Sequence, residues 1–578
     1  MKISLNKISP LRLPLPVRGW TAKALAVGLF SVLTLSSCVT DSMGDCPEGG
    51  EQVKKDSYFL TLNVSPTDAG TTRSETVDDG SSSDKTVKGS KLETTIVSAN
   101  LYFCVDDQII ASFESDYIEP SKDKDDNFSI RFVINDDINQ LEALVDKEDA
   151  ELFIVANTKI GENATDILYT PDFGADGKDM MSATFNMGSD VTQYPIGDYG
   201  NDGHYMPLVN AEQMALKITK LSDEETAFEA IKRQFNINTG NINWWYVNDG
   251  ESLKLERAVA RLEYRGKIRE DLKQVEETED SHVYPVGNTG MNIKLYSLIP
   301  FNVNKQSYLF KHTLEGTHTD ATASGNDIQL FGKENGGKDN AYNWISSPWW
   351  TPGYTQEFLN PLTMNSDQSA YEVKGEGEIL LTDLVKRTPS ESNIQKVSGI
   401  WVGGFHPWCY VSENTLYNTE MMDDEVRGAD GKSKMPAVAE KATGAAFKFM
   451  ILDNQETGKP LTPGTESANL PGGITMDEDG KITITDMSTG DWIEVEPTEL
   501  TEGNETHNYY FLTYIACIKH NVSATTNAMR YGVVRNNSYQ MSVSSINNLP
   551  LPKEPRTLFL ELQINVLNWN KRDVQYEF

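Results

Sequence analysis

The feature that most limits what this chain can fold into is its ending. Leu558, Leu560, Leu562, Ile564 and Val566 form an unbroken period-2 apolar row, and Val574, Tyr576 and Phe578 make a second one. That period marks a strand with one buried face. A free tail of this kind would be an aggregation hazard, so the row is expected to pair into a sheet. The same phase occurs near the start. Phe59-Leu60-Thr61-Leu62-Asn63-Val64 and Phe559-Leu560-Glu561-Leu562-Gln563-Ile564 share the pattern Phe-Leu-x-Leu-x-[Val/Ile], so either strand could fill one groove.

The segment after the first strand sets the two apart. Residues 65–92 are rich in Ser, Thr, Gly and Asp and nearly devoid of apolar side chains, and their one arginine is Arg73. That is the composition of an exposed loop that proteases nick. A trypsin-like cut there would let the strand carrying Leu60, Leu62 and Val64 leave. The C-terminal row of another copy could then enter by β-strand addition, with backbone hydrogen bonds giving affinity and alternate side chains giving register. Five aliphatic side chains at roughly 1.5–3 kcal/mol each give about 7–15 kcal/mol before entropy costs. The departing strand has three such residues, so the exchange is expected to run downhill. The plainer readings are an ordinary last strand and a chance match of two short patterns.

The first 37 residues carry Lys2, Lys7, Arg12, Arg18 and Lys23 with no acid, then an apolar run from Ala24 to Leu35. That run is too short to span a bilayer and reads as a secretory signal. It ends in Leu35-Ser36-Ser37-Cys38, which looks like a bacterial lipobox whose cysteine is lipidated and becomes the new N-terminus. Charge changes with the processing. The formal net charge of −34 becomes −39 when residues 1–37 leave, and −36 after a cut behind Arg73. Such acidity repels phosphate backbones and anionic lipid surfaces, which argues against nucleic-acid binding.

Strand-like runs recur at 101–105, 108–113, 128–134 and 151–156, then at 292–302, 307–311, 444–452, 481–485, 508–518 and 531–546, with long loops at 313–360 and 453–473. One helix interrupts them. Ser222 to Glu225 reads as a capping box, ahead of Phe228, Ile231 and Phe235 on one face. In Leu253–Tyr264 the apolar phase slips by one residue around Glu256-Arg257, which suggests a bulge. A polar, turn-rich stretch over 236–250 marks a domain boundary near residue 250. Two β-rich domains with few helices fit a pair of sandwiches. The expected division is a signal peptide at 1–37, a tether and removable strand at 38–73, sandwich domains at 74–250 and 251–555, and a donor segment at 556–578.

Chemistry is sparse. The seven histidines form no HExxH, and His312 and His318 read as a solvated loop rather than a metal site. Asp123 to Asn127 opens like a calcium loop but has Phe128 and Ile134 where that loop needs Gly and Glu, so it reads as an acidic hairpin turn. Asp477 to Gly480 reads as a turn into a strand. No CxxC spacing exists, which argues against a zinc or thioredoxin-like site; Cys104 and Cys517 lie in apolar runs, so buried free thiols are the plain reading, with a Cys409–Cys517 disulfide as the other. Trp344, Trp349, Trp350, Trp401 and Trp408 cluster along the chain; core packing is the common fate of such residues and a glycan-binding platform the other. No catalytic residues, cofactor or metal are expected.

Taken in order, several motifs resemble one family. They are the lipobox at Cys38, Tyr58–Val64 followed by Arg73, Glu256-Arg-Ala-Val-Ala-Arg261, Tyr410-Val-Ser-Glu-Asn-Thr415, Tyr531-Gly-Val-Val-Arg-Asn-Asn-Ser-Tyr539 and the ending Val566-Leu-Asn-Trp569. The chain resembles the fimbrillins, major subunits of Bacteroidales type V pili, and most of all the short-fimbria type. The resemblance implies an all-β fold of two transthyretin-like β-sandwich domains with long loops and a few short helices. It implies export as an outer-membrane lipoprotein, palmitate on Cys38, and cleavage between Arg73 and Ser74 by an Arg-specific protease. It further implies donor-strand polymerisation through residues 558–578, including Trp569, into an extracellular adhesive fimbrium with tip and anchor subunits, a virulence factor. The other readings are a monomeric surface lipoprotein that binds glycans or host proteins, and a fimbrial anchor or accessory subunit.

Overall fold

The computed structural model describes residues 58–66, 86–88, 93–120, 127–134, 136–158, 171–186, 206–235, 244–245, 252–266, 282–316, 328–330, 342–345, 347–348, 355–364, 371–373, 375, 377–387, 395–397, 400–402, 404–416, 440–454, 458–520, 531–550 and 560–570. The alternating runs become strands. In chain order the first set is β1 (Phe59–Pro66), β2 (Thr86–Lys88), β3 (Ala99–Val105), β4 (Gln108–Pro120), β5 (Phe128–Val133), β6 (Ala150–Ala156), β7 (Leu208–Asn210), β8 (Ala215–Leu216), helix α1 (Ala227–Gln234), β9 (Trp244–Trp245) and β10 (Leu253–Arg257). All but β2 and α1 form one sheet, ordered β8-β6-β3-β4-β5-β1-β10-β7, with β9 beside β1. Strand β7 bonds to both β10 and β6, so the sheet closes on itself. Its core holds Leu60, Leu62, Val64, Leu101, Phe103, Ile130, Phe132, Leu152 and Ile154.

The second set is β11 (Val259–Tyr264), β12 (Val283–Pro285), β13 (Asn292–Phe301), β14 (His406–Ser412), β15 (Gly444–Ile451), β16 (Phe511–Cys517), β17 (Asn537–Ile546) and β18 (Leu560–Asn570). One sheet runs β2-β18-β17-β11-β14 and another β12-β13-β15-β16. Between them Leu262, Tyr264, Trp408, Tyr539 and Met541 from the first meet Ile293, Leu295, Phe447, Phe449 and Leu512 from the second in a common core. That is the sandwich that alternating strands with one apolar face must build. The chain is all-β with few helices, as expected.

Four local expectations change. The helix is capped by Thr226 and Glu229 rather than Ser222 and Glu225: Thr226 Oγ1 accepts from Glu229 N at 3.2 Å and Glu229 Oε2 accepts from Thr226 N at 2.9 Å. Glu225 instead pairs with Arg233 at 3.0 Å, and Ile231 and Phe235 still face the core. The phase slip in Leu253–Tyr264 is no bulge. The chain leaves the first sheet at Arg257 and enters the second at Val259, so successive residues serve two different cores. The first sheet thus extends past the boundary expected at 250. The loop expected over 313–360 contains a small sheet of His312–Gly316 between Ile328–Leu330 and Tyr342–Ile345. The run expected at 508–518 divides into Glu505–Tyr509 and Phe511–Cys517.

Cys104, Cys409 and Cys517 are buried free thiols, not a disulfide. His312 is buried, not solvated. It stacks on Tyr308 with centroids 3.6 Å apart, and its ring nitrogens lie 2.9 Å from the carbonyls of Phe310 and Met181. Burial pushes its pKa down to about 4. Asp477 does make the turn before Ile482–Thr485, its Oδ1 accepting from Asp479 N and Lys481 N. Trp408 belongs to the core. The side chains of Trp344, Trp349, Trp350 and Trp401, and His318 and Asp123 to Asp126, lie outside the described residues.

Candidate assembly site

Strand β1 sits inside its sheet, not at an edge. It runs antiparallel to β5 from Phe59 opposite Val133 to Val64 opposite Phe128. On its other side it runs parallel to β9, with Thr61 beside Trp244, and to β10, with Val64 beside Leu253. Leu60, Leu62 and Val64 are fully buried, and at roughly 1.5–3 kcal/mol each they anchor the strand by about 5–9 kcal/mol. Removal of β1 would therefore leave a slot between β5 and β10 with an unpaired ladder on both sides.

The opposite face of β1 is also buried but less well satisfied. Asn63 Oδ1 accepts from Ser129 Oγ at 2.8 Å, while Asn63 Nδ2 and Thr61 Oγ1 have no hydrogen-bond partner among the described residues. An unpaired buried polar group costs about 1–3 kcal/mol. The occupant of this slot is held by its apolar face and weakened by its polar one.

Strand β18 is not a free tail. It pairs antiparallel with β17 from Leu560 opposite Ile546 to Asn568 opposite Asn537, so Leu560, Leu562, Ile564, Val566 and Trp569 all lie on a strand of the chain's own second sheet. Its far end pairs in parallel with β2, Val87 beside Trp569. The gross gain for a donor arriving from solvent therefore overstates the exchange, because this strand already has a ladder. The two phase-matched strands are thus in different sheets and are not brought together within one chain. Leu558, Cys38, Arg73 and Ser74 lie outside the described residues.

The family-like motifs converge on a buried polar cluster that hydrophobic patterning did not reveal. Glu93 lies just ahead of β3 and is fully buried. Its carboxylate accepts from Arg261 Nη1 at 3.0 Å and from the Tyr410 hydroxyl at 2.6 Å, and its backbone carbonyl accepts from Arg257 Nε at 3.1 Å. Arg257 Nη1 also donates to Asn536 Oδ1 at 3.0 Å. Asn536 has φ 55°, a left-handed conformation that asparagine tolerates, which accounts for this residue at the turn into β17. Arg535 pairs with Glu413 at 3.1 Å and lies 3.8 Å from Glu256, whose pKa burial pushes up to about 7. Arginine suits such sites because its planar fork serves several acceptors at once. The motif residues hold the two β cores' shared strand crossing together. Only Glu93 carried no sequence signal, since its partners lie far away in the chain.

Among the described residues no group of three or more His, Cys, Asp or Glu could hold a metal ion. Comparison with known proteins gives one family match. Residues 504–575 match the model for the C-terminal region of the major fimbrial subunit protein type IV, fimbrillin. The span includes β16, β17 and β18, and the resemblance read from the sequence is borne out there. No curated protein matches the chain. Among solved structures, a fimbrillin from Porphyromonas gingivalis aligns at 12% identity over 89% of this chain and 98% of that one, TM-score 0.33. The tip fimbrial protein Mfa3 from Porphyromonas gingivalis, with a C-terminal truncation, aligns at 10% identity over 88% and 100%, TM-score 0.27. Both scores are below 0.5, too low to establish a shared fold.

Proposed function

We propose that this chain is the shaft subunit of a surface fimbria, polymerised by donor-strand exchange; the match of residues 504–575 to the fimbrillin C-terminal model supports this reading. It is exported as an outer-membrane lipoprotein on Cys38, cut between Arg73 and Ser74 by a trypsin-like or Arg-specific protease, and assembled with tip and anchor subunits outside the cell. Its role is structural and adhesive, not enzymatic.

The observation that carries this reading is the position of β1. It is an interior strand with three fully buried aliphatic side chains, yet it is joined to the rest of the body by the segment that contains Arg73. A cut in that segment severs β1 from β2, so β1 can depart while β2 stays on its sheet. The incoming β18 exchanges its ladder with β17 for one between β5 and β10 of the next copy. Ladder bonds are exchanged rather than gained, so side-chain burial and the unsatisfied polar face of β1 set the direction.

N-terminal sequencing of the subunit in sheared surface filaments tests this. Ser74 at the N-terminus is the expected result. A blocked, lipidated Cys38 on a protein that forms no filaments would leave the monomeric surface lipoprotein as the reading.

A further inference from the structure

Donor-strand exchange as such leaves the register open. The row Leu560, Leu562, Ile564 can point inward in any of several registers two residues apart, because a two-residue shift keeps every side chain on its face. Something on the other face of the slot must choose among them.

On that face Phe59, Thr61 and Asn63 stand opposite Val133, Arg131 and Ser129 of β5. Arg131 is the one charged residue of β5. Its guanidinium lies 5.0 Å from the Phe59 ring, and it binds Asp116 through Nε at 3.0 Å and Nη2 at 2.7 Å. The residue directly opposite it is Thr61, whose hydroxyl is buried and has no partner among the described residues. The departing strand therefore offers Arg131 an aromatic ring but no charge.

We infer that Arg131 is the register-setting residue of the filament and that its partner is Glu561 of a second copy. The inference rests on the donor-strand reading. Laying Phe559–Ile564 on Phe59–Val64 keeps an aromatic ring beside Arg131 and puts Glu561 where Thr61 was. Directly opposed residues on neighbouring strands have Cβ atoms about 4.5–5.5 Å apart, within reach of a charge-assisted hydrogen bond. A two-residue shift either way sets Gln563 or Phe559 against Arg131, and a one-residue shift drives Glu561 and Gln563 into the core. Gln563 takes the place of Asn63 opposite Ser129, so an amide remains available to the Ser129 hydroxyl. The charge pair thus distinguishes the arriving strand from the leaving one at a position where their apolar faces are alike.

Mixed-copy disulfide trapping in full-length protein, cut with trypsin, tests the register. One copy carries Gln563→Cys, which keeps Glu561, and the other carries Asn127→Cys, Ser129→Cys or Arg131→Cys. Cys104, Cys409 and Cys517 are buried, and Cys38 and Cys46 precede Ser74 and depart with the cut segment. Preferential trapping with Ser129→Cys, where Arg131 and Glu561 are both intact, is expected. Preferential trapping at 127 or 131 overturns the register and leaves the donor-strand reading standing, whereas filaments that trap at none of the three overturn both. Recognition is read from rates. Glu561→Arg or Arg131→Glu should slow filament laddering about tenfold at low salt, and the double reversal should recover to within about threefold of wild type. Single reversals that assemble at the wild-type rate, with monomer melting unchanged, overturn the pair.

Discussion

Glu93→Gln is the substitution whose effect the structure dictates most directly. The side chain keeps its size but loses its charge, at a site where Glu93, Arg257 and Arg261 are each no more than 1% exposed. Arg261 would lose the carboxylate 3.0 Å from Nη1, and the Tyr410 hydroxyl would lose its 2.6 Å acceptor or face an amide donor. Removing one partner of a buried ion pair costs about 3–5 kcal/mol, because the remaining charge is left in a medium that solvates it poorly. Glu263, 2.6 Å from Arg261 Nε, still compensates part of that charge, so the lower end applies, about 3 kcal/mol. With a urea m-value of about 3 kcal/mol/M the unfolding midpoint should fall by about 1 M. Glu357→Gln is the contrast: its pair with Lys305 at 3.2 Å is half exposed or more on both sides, and its loss should leave the midpoint in place. Urea titrations of the three proteins, followed by tryptophan fluorescence and circular dichroism, make the comparison. A shift below about 0.3 M for Glu93→Gln would show that the buried cluster does not hold the two cores together.

Three further outcomes are expected. Glu256 has its pKa raised from 4.5 to about 7, so the folded state binds more protons than the unfolded one between those values. Its contribution is fully present below about pH 4.5 and is lost as pH rises through 7, a change of about 3 kcal/mol, which Glu256→Gln should abolish when urea midpoints at pH 5 and pH 8 are compared. Leu62→Ala removes a fully buried side chain of β1 and should weaken that strand's hold by about 2–5 kcal/mol, so laddering after trypsin should speed up; slower laddering would mean that loss of β1 does not limit assembly. Burial raises the pKa of Cys517 to about 12 and those of Cys104 and Cys409 further, so none of the three should react with a thiol reagent at pH 8 until the protein unfolds, checked by absorbance with and without urea.

Much of the architecture was legible in the chain because strand phase is a local property. Tyr58–Val64, Leu101–Val105 and Phe128–Ile134 declare their buried faces every second residue, and the strands formed there within a residue or two. The helix was legible too, though its cap was misplaced: Ser222 and Thr226 stand in the same pattern with an acid three residues on, and in the folded chain Glu225 is taken by Arg233 while Glu229 closes the box on Thr226. The slip at Glu256-Arg257 was visible, but its meaning was not. A bulge and a crossing between sheets leave the same mark on the alternation, and the difference lies in which core receives Ala258 and Ala260.

What the sequence by itself determined is that two strands far apart in the chain, Phe59–Val64 and Phe559–Ile564, share one apolar phase, and that a polar segment carrying Arg73 follows the first of them. Which sheet each strand joins was decided by the tertiary structure. It put β1 between β5 and β10 and β18 between β17 and β2, so the matching strands lie in different sheets. It also gathered Glu93, Arg261, Tyr410 and Arg535 into one buried cluster from distant parts of the chain. The physical reason is the same in both cases. Alternation fixes which face of a strand must leave water, whereas its neighbours and the partners of a buried charge are set by contacts far away in sequence, which only the folded chain brings together.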